Sequence, residues 1–110
     1  MSTQRQISEP DWKLFRHLRE VALERFCERV LSEVGQLACK TEQSAHERYL
    51  AVYKLLQRRD KELAQTFDDL RRSTAWPCLS VMRSRGLLSD EEFAGFSSET
   101  RAAVRVWLGG

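Results

Sequence analysis

Glycine and proline are scarce in this chain, cysteine and histidine are equally sparse, and no apolar stretch is long. Its 110 residues include 5 glycines, 2 prolines, 3 cysteines and 2 histidines. The glycines are scattered, so no phosphate-cradling loop exists, and no His-Glu-x-x-His element or paired-carboxylate helical metal motif is present. Cys27, Cys39 and Cys78 are odd in number and share no Cys-x-x-Cys or histidine-linked spacing, which implies neither a disulfide framework nor a zinc site. The longest uninterrupted apolar run is five residues, Tyr49 to Tyr53, too short for a signal peptide or a membrane span. Strand-like alternation, internal repeats and low-complexity tracts are also missing. These absences lead to the expectation of a cytoplasmic, reduced protein without a membrane partner, metal or cofactor.

What is present is ordinary in bulk and uneven in detail. The length fits one domain with a core that needs no staples. A net charge of +2 does not by itself call for a polyanionic partner. By segment, residues 44–85 carry 9 basic and 5 acidic groups, a balance of +4, whereas residues 86–110 carry 2 and 4, a balance of −2. Fourteen of the 18 basic residues are arginine, the side chain best suited to bidentate anion binding.

Two long helical segments dominate, one from Ser8 to about Ala38 and one from Ser44 to about Leu70. Ser8-Glu9-Pro10-Asp11 combines a capping hydroxyl, a first-turn proline and acids at the positive end of the helix dipole. Trp12, Phe15, Leu18, Ala22, Phe26, Val30, Val34 and Leu37 then recur at steps of three and four, widened by Leu14, Val21, Leu23 and Leu31. Cys27 reads as a small core residue. Arg16, Arg25 and Arg29 are spaced to pair with Glu20, Glu28 and Glu33 on the solvated face. Gly35 is the weakest point of this helix. Ser44-Ala45-His46-Glu47 is a capping box, and Ala45, Tyr49, Val52, Tyr53, Leu56, Leu63 and Phe67 form the expected inner stripe of the second helix. Six polar residues interrupt it, and helical spacing brings either Arg59 or Asp60 inward, where a carboxylate would need an arginine partner. The bland alternative, an overhanging solvated turn, is the preferred reading there.

Shorter helices follow. Ser73 or Thr74 opens one that tolerates Pro77 only near its start, and Gly86 ends it. Ser89-Asp90-Glu91-Glu92 is a second capping box, and Ser97 or Ser98 starts a last helix bearing Val104, Val106, Trp107 and Leu108. The expected fold is all-α: a long antiparallel helical hairpin with two or three shorter C-terminal helices packed on it. Residues 1–7 are read as a flexible N-terminus and residues 8–108 as a single helical domain. A thirty-residue helix is about 45 Å long, yet a compact body of this chain length is only about 34 Å across. The hairpin must therefore protrude, kink near Gly35 or bury its excess against another copy.

Two clusters carry candidate chemistry. His46, Tyr53 and Asp60 recur on one side of the second helix and form a possible pocket, although His46 and Glu47 are adjacent and cannot chelate one ion as an i, i+4 pair does. Arg58, Arg59, Arg71 and Arg72 form a possible anion patch. Thr74 to Phe96 has the length of a helix-turn-helix, but Asp90, Glu91 and Glu92 would stand where phosphate contacts begin. Trp12, Trp76 and Trp107 are three large anchors near helix ends, at least two of them expected in the core.

The runs Ser44-Ala45-His46-Glu47-Arg48-Tyr49, Arg58-Arg59-Asp60-Lys61-Glu62-Leu63 and Leu87-Leu88-Ser89-Asp90-Glu91-Glu92-Phe93 together resemble small all-helical proteins of proteobacteria with no established activity. The likeness spans most of residues 11–105, and its motifs are mainly helix starts. It implies a bacterial, cytoplasmic setting and transfers no site residue. From the residues themselves the expected role is non-enzymatic: a protein-interaction or regulatory module, self-associating as a homodimer and/or engaging another protein. The alternative is a nucleic-acid-associated accessory protein that uses the arginine patch.

Overall fold

The computed structural model describes residues 6–109, and among them every regular element is helical. Helix α1 runs Glu9–Ala38 and α2 runs Ala45–Phe67, forming a long antiparallel pair. A single 3-10 turn at Arg72–Thr74 leads into α3, Ala75–Ser84, followed by α4, Asp90–Ala94, and α5, Ser98–Trp107. The serine caps expected from sequence account for the starts of α1, α2, α4 and α5, while Thr74, at the start of α3, makes no side-chain capping bond. Ser8 Oγ accepts from the Asp11 amide at 3.4 Å. Reciprocal boxes close at Ser44–Glu47, 3.0 and 2.9 Å, and at Ser89–Glu92, 3.1 and 2.8 Å. At the end of α3, Gly86 takes φ +69° while its amide and that of Leu87 donate to Arg83 and Met82 carbonyls at 2.9 Å each. That pattern is a Schellman stop, where a side chain would be strained.

Helix α2 ends at Phe67, three residues before the expected Leu70. Phe67 is buried edge-on to Phe26, with ring centroids 6.0 Å apart, and its carbonyl accepts from the Arg19 guanidinium. Beyond it, Asp68 and Asp69 place two carboxylates at the negative end of the helix dipole, which favours leaving the helix there.

The core lies at one end of the hairpin. Phe15, Leu18, Ala22, Phe26 and Val30 of α1 and Phe67 of α2 meet Ala75, Leu79 and Met82 of α3, Phe93 of α4 and Val104 of α5, with Leu87, Leu88 and Phe96 between them. Ile7 also belongs to this core at 2% exposure. The expected loose terminus is therefore corrected at Ile7, while residues 1–5 lie outside the described residues. Trp12, stacked on Phe15 at 5.6 Å, and Trp76 pack against the core, whereas Trp107 is 60% exposed. Only Thr100 and Val104 of α5 are buried, so Val106, Trp107 and Leu108 face outward rather than inward.

Polar ties fasten the short helices to α1. The Asp11 carboxylate, 5% exposed, accepts from Ser97 N at 3.1 Å, Ser97 Oγ at 2.5 Å and Thr100 Oγ1 at 2.6 Å. It thus sits at the positive end of the α5 dipole, and Thr100 in turn accepts from Trp76 Nε1 at 3.1 Å. Arg25 grips Glu92 through two bonds of 2.7 and 2.8 Å and also donates to the Leu87 carbonyl at 2.9 Å. Arg29 caps α3 by donating to the carbonyls of Arg85 and Gly86 at 2.8 and 2.6 Å. The pairings expected along α1 itself, Arg25 with Glu28 and Arg29 with Glu33, give way because both arginines reach partners on other elements.

The remaining length of the hairpin protrudes. Helix α1 passes through Gly35 unbroken to Ala38, and the molecule measures 65 × 25 × 23 Å with a radius of gyration of 17.4 Å. A compact chain of this length would have a radius near about 13 Å. Of the described residues 31–65, only Leu55 is buried.

Burial pushes the Asp11 carboxyl up, but the Ser97 hydroxyl, Thr100 hydroxyl and Ser97 amide together outweigh it and leave the group below its ordinary 3.8. A lowered folded-state pKa stabilises the fold above the unfolded value and is lost as pH falls through the folded one. Asp11→Asn is thus expected to cost about 1–3 kcal/mol at pH 7, since three donors lose an ionised acceptor. In urea melts the gap between variant and wild type should shrink as pH drops below about 4.

Candidate interaction surface

Helix α2 presents two adjacent rows of side chains, each spaced by alternating steps of four and three. The inner row, Arg48, Val52, Leu55, Arg59, Glu62 and Thr66, is buried or half-buried against α1 and the base. The outer row, Tyr49, Tyr53, Leu56, Asp60, Leu63 and Phe67, begins exposed and becomes buried only at its Phe67 end. This corrects the expected inner stripe. Its Tyr49, Tyr53 and Leu56 face outward, and Leu55, omitted from it, makes the deep contact at 3% exposure.

Arg59 bridges the two helices in this rotation. Its guanidinium takes both Glu33 oxygens at 2.9 Å and reaches Glu62 at 2.8 Å. Arg85 adds a 3.5 Å contact to Glu62. The Arg59 hydrogen bonds hold the Glu33 carboxyl below its ordinary range and push the Arg59 pKa up. Arg59 is therefore the inward member of the polar interruption, and Asp60 is the outward one; the overhanging-turn reading fails at Arg59 and holds at Asp60. A cleft of about 270 Å³ opens beside this network, lined by Phe26, Arg29, Val30, Glu33, Arg59, Glu62, Arg85 and Leu87.

On the other flank of the pair lies an apolar groove of about 500 Å³. Phe26, Cys27, Val30 and Leu31 form its α1 wall, and Tyr53, Leu56, Gln57, Arg59, Asp60 and Leu63 form its α2 wall. No residue of α3, α4 or α5 lines it, so the groove is open along the protruding half. Cys27 borders this groove, half-buried, instead of sitting in the core. Leu31 is 68% exposed, Tyr49 66%, Tyr53 53% and Leu56 44%. Large apolar side chains clustered this way on one face are uncommon on a surface that stays bare.

The sequence-derived candidates divide between these regions. Tyr53 and Asp60 share the groove, where Gln57 Nε2 donates to the Tyr53 hydroxyl at 3.2 Å. His46 is exposed in the first turn of α2. Fourteen residues separate it from Asp60, about 21 Å along the axis, so the three do not close around one small ligand. Arg58 is exposed on the opposite flank beside Lys54 and Lys61. Arg71 pairs with Asp69 at 2.7 Å, and Arg72 pairs with Glu9 at 2.7 Å. Eight residues lie between Arg59 and the end of α2, about 12 Å, so the four arginines do not gather in one patch. Leu31 and Cys27 are the site residues that sequence reasoning placed elsewhere. Their exposure follows from how narrow a two-helix contact is, which the wide apolar stripe of α1 conceals.

Among the described residues, no group of three or more histidine, cysteine, aspartate or glutamate side chains is placed to hold a metal ion. Among the same residues, no helix is long and apolar enough to cross a membrane. No protein-family model, curated protein or solved structure matches the chain, so its functional reading rests on the geometry above.

Arg59→Ala is expected to cost about 0.5–1 kcal/mol in global stability, the ion pair being partly solvated and so screened. Its larger effect should be local. Hydrogen exchange is expected to accelerate for α2 amides on the tip side of residue 59, with little change in α3 to α5.

Proposed function

We propose that this chain is a protein-interaction module that self-associates through the outer face of its helical hairpin. The observation that carries this reading is the row of exposed Leu31, Tyr49, Tyr53 and Leu56 along a half of the molecule only two helices thick. In a compact domain such side chains are covered by a third or fourth helix. Here α3, α4 and α5 occupy the base and leave the groove open. Covering it removes apolar area from water at about 25 cal/mol per Å², with the aromatic residues contributing most per side chain.

The base serves to present the hairpin. Asp11, Arg25 and Arg29 lock the short helices onto α1, so the protruding pair emerges from a fixed platform and is pre-organised for docking. Arg59 and Glu33 pair across the two helices in the rotation that has Leu55 inward and Leu56 outward.

Size-exclusion chromatography with light scattering, run over a range of concentrations, tests the reading. Wild type is expected at twice the chain mass, shifting toward the monomer on dilution. Leu56→Glu puts a charge at an exposed position that needs no repacking and is expected to give a monomer with unchanged helix content by circular dichroism. A wild-type monomer at about 100 μM, a concentration at which even weak micromolar pairs form, would defeat the proposal.

A further inference from the structure

Resting on that self-association, we propose that the occupant of the groove is α2 of a second copy, antiparallel and in one register, in which each Tyr49 hydroxyl donates to the partner's Asp60. The outer row is apolar except for Asp60, and among the described residues no hydrogen bond or ion pair engages that carboxylate. Covered by another helix it would be desolvated, which an ionised carboxylate tolerates only with a donor. The identity of the donor follows from symmetry. In a two-fold pair, whatever residue i meets on the partner, that residue of the first chain meets residue i of the partner. The row must therefore match its own reversed copy, three-residue steps against three-residue steps and four against four.

Four such registers exist along Tyr49, Tyr53, Leu56, Asp60 and Leu63. Centring on the Leu56–Asp60 step puts Asp60 against the partner's Leu56. Centring on the Asp60–Leu63 step puts it against the partner's Leu63. Centring on the Tyr49–Tyr53 step leaves it beyond the start of the partner's α2. Only centring on the Tyr53–Leu56 step sets a donor of the row directly opposite Asp60. There Tyr53 meets the partner's Leu56, and Tyr49 meets the partner's Asp60, each twice. The Tyr49 phenol is 66% exposed and within reach of solvent, and no hydrogen bond among the described residues uses it. This register also keeps the contact on the protruding half, where Leu31 stands exposed on the α1 wall of the groove. One polar pair in an otherwise apolar contact selects register and orientation at some cost in affinity.

A double-mutant cycle on the dimer dissociation constant, measured by analytical ultracentrifugation, tests the pairing. Tyr49→Phe is expected to weaken the dimer by about tenfold or more, because two carboxylates lose their donors. Asp60→Leu is expected to tighten it, and Tyr49→Phe in that background should change nothing. Additive effects would overturn the pairing. Register is read separately after Cys27, Cys39 and Cys78 are replaced by alanine or serine. Tyr49→Cys and Asp60→Cys chains, mixed and oxidised, are expected to crosslink to each other. Neither should crosslink with itself, because its own mate lies eleven residues, about 16 Å, along the axis. Self-crosslinking of either variant, or failure of the mixture while light scattering still reports a dimer, would overturn this register and leave self-association standing. A wild-type monomer in light scattering would remove both.

Discussion

Two helices packed side by side share a single line of contact, and that limit governs this molecule. Helix α2 carries enough apolar side chains for two lines. Against α1 alone it can bury one, and the line it buries is the more polar of the two, holding Arg48, Arg59 and Glu62 with Val52 and Leu55. The Arg59–Glu33 bidentate pair is one of the contacts along that line. A guanidinium that finds a carboxylate on the facing helix sits well at the edge of a thin interface, and with Arg59 inward, helical geometry turns Tyr53 and Leu56 out. The exposed apolar face is thus the reverse side of the line that α2 buries against α1.

The base of the molecule obeys a different balance. There the hairpin is backed by three short helices, none longer than 10 residues, too short to be stable alone. They persist because each is tied at an end as well as buried on a face. The Asp11 carboxylate caps α5, Glu92 closes its own helix start while gripping Arg25, and Arg29 takes the carbonyls that end α3. The Arg25 fork and the Ser89 amide draw the Glu92 carboxyl down to about 2. One carboxylate thereby both starts α4 and docks it. Charge-assisted bonds at helix ends use dipoles and orphan amides that exist whatever the side chains pack against, so they add order where hydrophobic area is small.

These two regions give the molecule its asymmetry: a buried, cross-tied platform and a thin arm whose outer face is apolar. The arm adds length without adding core, which is why the radius of gyration exceeds that of a compact chain. In the proposed dimer a second copy of the arm covers this face, with Tyr49 set against the partner's Asp60.

Much of the fold was legible in the linear pattern. Ser8, Ser44, Ser89, Ser97 and Gly86 mark helix ends through hydrogen bonds made within a few residues, so local chemistry suffices to locate them. The wide stripe of α1 and the hairpin follow from steps of three and four. The rotation of α2 did not follow, because two adjacent rows share the same spacing and periodicity cannot rank them. Asp11, read as a dipole acid of its own helix, turned out to serve α5, eighty-six residues away. Tyr53 and Asp60 both line one groove, whereas His46 and the four arginines share helix faces or sequence proximity without being brought together. The sequence alone determined where most helices start, since those signals act over one turn. Which face is buried and which stays exposed was decided only by the pairing of α1 with α2, because that depends on side chains brought together from distant parts of the chain.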